Sequence, residues 1–270
     1  MKNQPRVVAL YRYPVKGYTP EACDTLTVLA EGRVAGDRVL AFRLADSDAA
    51  DAAWSYKQHC VVLMNTPGLA RLNLRFDHRA LRLAISHEGA TLAEAALDDN
   101  GRKRLAAALA DYVLKLPENP LSGHPERLPL RLVGDGVTSR YQDNEGGHAT
   151  LHSRESLAAV AAAAGAATLD EARFRSNIVI EGVRAWEEHE WFGRRLRIGK
   201  VELEVVKHKI RCLATHANPR SGERDLRLMQ VLMKSFAQKE PTFAVGMVTR
   251  GAGGESRLGD EVSVGSEPGS

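Results

Sequence analysis

His208, Cys212 and His216 recur at four-residue intervals. On a helix this set would stack on one face, about 6 Å apart along the axis, and could hold a metal. The alternation over Val201–Val206 instead reads as a strand, where four residues span about 13 Å and one ion cannot hold all three. Cys212 is then read by itself. It closes the run Lys207-His208-Lys209-Ile210-Arg211-Cys212, and neighbouring positive charge favours the thiolate, which is both the nucleophile and the metal ligand. A plain buried cysteine is the competing reading.

Basic residues at strand ends form a second theme. Lys16 follows Tyr13-Pro14-Val15, Arg38 closes Gly36-Asp37-Arg38, and Arg175 lies in Phe174-Arg175-Ser176-Asn177. Singly, each reads as a solvated charge. Converging in loops they would suit a phosphate-bearing ligand, because guanidinium forks match phosphate oxygens. Two other patterns fail. Gly193 to Val201 has five residues between its glycines, and Val201 stands where a P-loop needs Ser or Thr for magnesium. Gly251-Ala252-Gly253-Gly254 opens no helix after a strand, so it is not a dinucleotide fingerprint and reads as a hairpin.

The elements that must position these groups are mostly short strands. Expected strands are Arg6–Val15, Asp24–Leu29, Arg38–Leu44, Cys60–Met64, Ala70–Phe76, Leu81–Ser86 and Leu128–Gly134. A second series covers Ser176–Gly182, Arg194–Ile198, Val201–His208, Leu213–Ala217, Phe243–Thr249 and Glu261–Val264, with Gly199-Lys200 as a two-residue hairpin turn. Helices are expected at Arg102–Leu116, at Ser153–Ala164 with Gly165 as its C-terminal cap, and at Glu223–Gln238. Leu116–Pro129 carries four prolines and reads as the boundary between two β-rich halves. The expected division is 1–118, 119–265 and a disordered tail at 266–270. The fold class is mainly β with a few helices (α+β), in two β-barrel-like subdomains.

With 270 residues, 44% hydrophobic and 26% charged, the chain has globular composition. A net charge of +3 is too small for a nucleic-acid-binding signature. No apolar stretch approaches the roughly 18 residues of a membrane span, and the run Val7–Tyr11 is too short for a signal-peptide core. Three scattered cysteines, Cys23, Cys60 and Cys212, with no C-x-x-C pair, point to a reducing, cytoplasmic setting and exclude a four-cysteine iron–sulfur cluster built within this chain.

Taken in order, the pieces resemble the MOSC family, named for the C-terminal domain of molybdenum cofactor sulfurase, together with its N-terminal β-barrel companion. Tyr13-Pro14-Val15-Lys16-Gly17, Glu31-Gly32 and Gly36-Asp37-Arg38 look like the companion's opening signature. Phe174-Arg175-Ser176-Asn177-Ile178-Val179 resembles the family's F-R-x-N-I-V strand. Trp186-Glu187, Leu196-Arg197-Ile198-Gly199, Arg211-Cys212, Thr215, Asn218-Pro219-x-x-Gly222 and Leu258-Gly259-Asp260-x-Val262 follow in sequence. Three positions depart: Gly17-Tyr18-Thr19 follows Lys16, Ser176 replaces a common Pro, and Gly246 stands where the F-G-x-Y pattern carries an aromatic.

The resemblance implies a molybdenum cofactor (molybdopterin with Mo). Cys212 would be the metal ligand and catalytic centre, a soft thiolate suited to such a metal. Lys16, Arg38, Arg175, Asn177 and Arg211 would hold the pterin, with Ser153 as an anion contact at a helix N-terminus. His152 and Asp37 are candidate proton donors. The implied activity is reduction of N-hydroxylated or N-oxide compounds, with electrons from a separate ferredoxin- or cytochrome b5-like partner. A pyridoxal phosphate-binding description also travels with the family. Two alternatives stay open: a cofactor or sulfur carrier using a persulfide on Cys212, and a non-catalytic anion- or pterin-binding module.

Overall fold

The computed structural model describes residues 4–265. In chain order the strands of the first half are β1 (Arg6–Arg12), β2 (Glu21–Ala22), β3 (Thr25–Val28), β4 (Ala41–Arg43), β5 (Leu72–Asp77), β6 (Arg82–His87) and β7 (Ala90–Ala96). Helix α1 (Asp99–Val113) and β8 (Arg131–Val133) follow, then β9 (Ala149–Ser153), α2 (Arg154–Ala163) and β10 (Ile178–Glu181). The last elements are β11 (Arg195–Ile198), β12 (Val201–Ile210), α3 (Leu228–Ser235), β13 (Thr242–Thr249), β14 (Gly254–Arg257) and β15 (Val262–Val264). The architecture is mainly β with three α-helices and a curled eight-stranded sheet.

That sheet runs β15-β11-β12-β13-β9-β10-β1-β2. Only β9 and β10 pair in parallel, joined through α2 as a parallel crossover requires. Helix α2 begins where the sequence places it: the Ser153 hydroxyl accepts the Ser156 N–H at 3.1 Å, and Gly165 closes the end at φ 69°. Likewise Ile198 faces Val201 across the Gly199-Lys200 turn.

Two large cores form. One gathers residues from Val15 to Leu132, and the other joins Val7, Leu10, Leu26, Val28 and Val34 to residues from Ala149 to Val262. Strand β1 pairs with β10, and β4 with β8. The halves of the sequence therefore interleave, the first strands packing in the sheet of the second half. The 266–270 tail lies outside the described residues.

Several expected elements differ. Cys60–Met64 is no strand: Asn65 accepts the Val62 N–H at 3.0 Å and donates to Cys60 O at 3.0 Å, which turns the run on itself. Leu213–Ala217 is mostly a 3-10 turn, Leu213–His216, because Thr215 folds back onto Cys212 O. The third helix begins at Leu228 rather than Glu223, since Asn218–Asp225 forms a turn closed by Asn218 N to Glu223 O at 2.7 Å. β2, β7, β9 and β14 lie outside the expected strands. β7 is alanine-rich and mostly exposed, and β6 holds it by cross-strand pairing.

Candidate functional site

The C-terminal end of β12 sets the centre. Arg211 N donates to Pro241 O at 2.7 Å, so the chain stays tied to the approach to β13 for one residue past the strand. Cys212 then turns away, its carbonyl accepting the N–H and hydroxyl of Thr215, both at 3.0 Å. Cys212 is half-buried, while Cys60 is fully buried.

Three other loops converge on it. The segment after β1 brings Lys16, tied through Lys16 N to Leu40 O at 2.8 Å. Arg38 arrives beside Tyr13, whose carbonyl accepts Arg38 N at 2.7 Å. Arg175 precedes β10. The resulting cleft is lined by Lys16, Arg38, Asp143, Arg175, Arg211 and Cys212, with Lys57, Met64, Arg173 and Ala214 also on its wall. It encloses about 70 Å³.

Arg38 and Arg175 clamp one aromatic ring. Their guanidinium carbons lie 4.7 and 4.2 Å from the centroid of Tyr13, within cation–π range. The ring is buried, and burial pushes its phenol up to about 12. Both arginines adopt left-handed backbone, φ 51° and 54°, a conformation that costs a branched or long side chain about 1–2 kcal/mol. Arg38 pairs with Asp37 and donates to Arg175 O at 3.3 Å. Arg175 donates to Tyr18 O at 2.6 Å, and its Nη2 has no partner. Burial, reinforced by Arg38, lowers its pKa to about 10, so it stays charged at neutral pH.

Lys16 is 3% exposed and its ammonium donates to Tyr141 O, Gln142 O and Asp143 Oδ1, at 2.8, 3.2 and 2.9 Å. The Lys16 and Lys57 ammonium groups hold the Asp143 carboxyl well below the usual range. Arg211 donates to Phe174 O at 2.7 Å and Phe243 O at 3.3 Å, and its Nε has no partner. Burial lowers its pKa. Gly246 has a steric cause nearby: a Cβ there would lie 3.2 Å from Lys209 Cδ, so the lysine stem covers the ground of the missing aromatic.

Residues 143–265 match the MOSC domain family. The chain carries a MOSC domain. The family is associated with molybdenum cofactor. No curated protein sequence matches the chain. Among solved structures, the YuaD protein from Bacillus subtilis is similar at 10% identity and TM-score 0.45, over 98% of this chain and 97% of that one. A hypothetical protein is similar at 14% identity and TM-score 0.34, over 48% of this chain and 58% of that one.

The MOSC domain supplies Asp143, Arg173, Arg175, Arg211 and Cys212, while Lys16, Arg38, Lys57 and Met64 come from the chain before it. Asn177 and Ser153 are not on the cleft wall. Asn177 donates to Tyr11 O and Asp37 Oδ1 and accepts from Thr150, so its amide fastens β1, β9 and the Asp37 loop together. Ser153 lies 3.0 Å from a buried carboxylate, Glu188 Oε2, besides capping α2. Asp37 is committed to Arg38, Tyr13 N and Asn177. His152 is buried with both ring nitrogens unpartnered, and burial lowers its pKa to about 3.

His208, Cys212 and His216 do not meet at a metal: His208 contacts His189 O at 2.9 Å, and His216 Nε2 accepts Met229 N at 3.2 Å. Among the described residues no group of three or more His, Cys, Asp or Glu could hold an ion, and no helix is long and apolar enough to cross a membrane.

Arg173 was missed from sequence. Its Nη1 reaches Thr215 O, His216 O and Ala217 O at 3.2–3.3 Å, and its Nη2 grips Asp225 at 2.7 and 2.8 Å. It therefore fastens the turn that presents Cys212. No local pattern marks it, because its partners lie 42 or more residues away.

The donor set fits an anionic, thiolate-ligated group. Buried N–H groups on Arg175 Nη2 and Arg211 Nε lack acceptors, and a buried unsatisfied donor costs about 1–3 kcal/mol. A half-buried thiol stands among them. The cleft volume is below that of most ligand sites, roughly 300–1,000 Å³, with the Lys16–Asp143 pair lying across it.

Proposed function

We propose that the Cys212 cleft holds the molybdenum cofactor and that the chain is a molybdenum-dependent reductase of N-hydroxylated or N-oxide compounds. The observation that carries this reading is one half-buried thiol set among a buried lysine and three partly buried arginines, two of which keep buried, unpaired N–H groups. When bound, the group supplies the two-electron chemistry. The chain's own residues do the rest. Cys212 offers the single soft ligand. Arg38, Arg175 and Arg211 bind phosphate and pterin oxygens, and Lys16 joins them where Asp143 gives way. Tyr13 orients two of the guanidinium groups by stacking between them.

Asn177 belongs to this reading as a positioning residue, since its amide fixes Asp37, which in turn holds Arg38. Ser153 acts at one remove, by starting α2. The division at residue 118 is carried here as an N-terminal companion that donates Lys16 and Arg38. Electrons would come from a separate ferredoxin- or cytochrome b5-like protein in the cytoplasm.

The test is elemental analysis of protein made in a host that produces the cofactor, beside Cys212→Ala. About one molybdenum per chain, lost in the variant, is the expected result. Metal absent from both proteins, with cyanide-labile sulfur on Cys212, would replace the reductase by a persulfide carrier, a reading that the partial exposure of the thiol favours.

A further inference from the structure

A second cavity opens beside the cleft. It holds about 310 Å³, within the range of small-molecule sites. Leu63, Leu69, Leu72, Pro20 and Pro219 give it an apolar wall. Gly17, Leu63, Arg173, Arg175 and Ala214 line both cavities, so the two lobes share a partition next to Cys212.

The partition is cationic, and one of its charges lacks a counter-ion. Arg173 is neutralised by Asp225. Arg175 pairs with no carboxylate among the described residues: one amino group donates to Tyr18 O, the face rests on Tyr13, and Nη2 is buried without a partner. Arg173 Nε is also buried and unpartnered. A molecule filling the apolar lobe would therefore meet unused donors and an uncompensated positive charge on the side facing Cys212. Asp170 and Arg220, the other charged residues of the lobe, are both exposed and of opposite sign.

We propose that this cavity binds a small apolar acid, with a ring-sized body against Leu69 and Leu72 and a single carboxylate at the partition, on Arg173 Nε and on Arg175, whose guanidinium is shared with the cofactor's oxygens when both are bound, and so selects what is held beside Cys212. Binding itself follows from the cavity; the occupant's role as substrate rests on the reductase reading. Charge complementarity gives the head its direction. The apolar wall gives the body its affinity, at about 25 cal/mol per Å² buried.

Benzoate is the probe, titrated into metal-free protein and followed by calorimetry and by leucine methyl NMR shifts. The expected result is saturable binding with shifts centred on Leu63, Leu69 and Leu72. Neutral benzamide should bind at least about tenfold more weakly. Ala172→Trp, whose side chain would enter the lobe, should abolish binding; Ala70→Leu, a smaller intrusion, should weaken it if the tryptophan variant does not fold. Equal affinities for benzoate and benzamide, no saturation by about 20 mM, or unchanged binding in the folded variants would overturn the proposal. Molybdenum content of wild-type protein from the cofactor-producing host separates the two readings: benzoate binding without metal keeps the cavity and removes the reductase, and metal without benzoate binding does the reverse.

Discussion

Arg173→Met isolates the fastening of the Cys212 turn. Its side chain is 4% exposed and Asp225 34%, so the substitution strips an ion pair of its buried partner and leaves three carbonyls without their donor. Removing one member of a buried pair costs about 3–5 kcal/mol. Water reaches the partly exposed Asp225 and recovers some of that, and methionine keeps most of the stem's packing, so about 3 kcal/mol is the expected loss. At about 2–4 °C per kcal/mol for a large domain, thermal unfolding followed by circular dichroism should move down by about 6–12 °C. The released turn should also expose its cysteine. Alkylation of Cys212 in the folded state, quantified by mass spectrometry against buried Cys60, should quicken by about tenfold, the ratio that 1.4 kcal/mol of local opening gives. A loss under about 1 kcal/mol together with an unchanged alkylation rate would refute the reasoning.

His152 is held neutral by burial, with its folded pKa near 3 against about 6.5 unfolded; its contribution is complete above pH 6.5 and falls as pH drops towards 3, because the unfolded chain binds the proton first. His152→Leu should therefore gain stability relative to wild type as pH goes from 7 to 5, by up to about 2 kcal/mol in urea titrations, and an equal difference at both pH values would count against it. Asp143→Ala removes the carboxylate competing for Lys16 and Lys57 and should raise affinity for inorganic phosphate about tenfold by calorimetry; weaker binding than wild type would show that the acid orders the cleft rather than blocks it. Arg175→Gly relieves left-handed strain and removes an unpaired buried cation, so it should cost no more than about 1 kcal/mol in urea unfolding while phosphate binding drops about tenfold. A loss above about 3 kcal/mol would make Arg175 a pillar of the fold.

Local chemistry was what the sequence made legible. Ser153 caps α2 because its hydroxyl reaches an N–H three residues on, and Gly199 turns because glycine accepts φ 56°. These are settled within a few residues. Cys60–Met64 looks like a strand by composition, yet an asparagine side chain closes it into a turn. β7 looks unlike a strand by composition and exists because β6 pairs with it. Site residues divide the same way. Arg211 and Cys212 stand out as a local charge run, and the family resemblance joined them to Lys16, Arg38 and Arg175. Arg173 and Asp143 act across the fold, and Asn177 looked like a ligand contact while its amide is used up inside the protein.

The two left-handed arginines carry the argument beyond residue types. Each backbone is unfavourable in isolation, and each is held from outside: Arg38 N donates to Tyr13 O, and the Arg38 carbonyl accepts from Arg140 and Tyr141. Arg175 O accepts from Arg38, and the neighbouring Asn177 locks into β9 through Thr150. Glycine would meet both conformations at lower cost. Arginine there brings a long cationic side chain back over Tyr13 into the cleft, where the charge of Arg175 is left without a carboxylate partner. Burial disfavours the charged form and lowers the pKa of Arg175 and Arg211, whereas Asp37 offsets the burial of Arg38 and raises its pKa, so the uncompensated cost falls on the first two. The arrangement becomes favourable once an anion occupies the cleft, since its binding free energy is added to the folded state alone. On the proposed reading, ligand-dependent stabilisation, rather than any single contact, is what would tie Tyr13, Arg38 and Arg175 to Cys212.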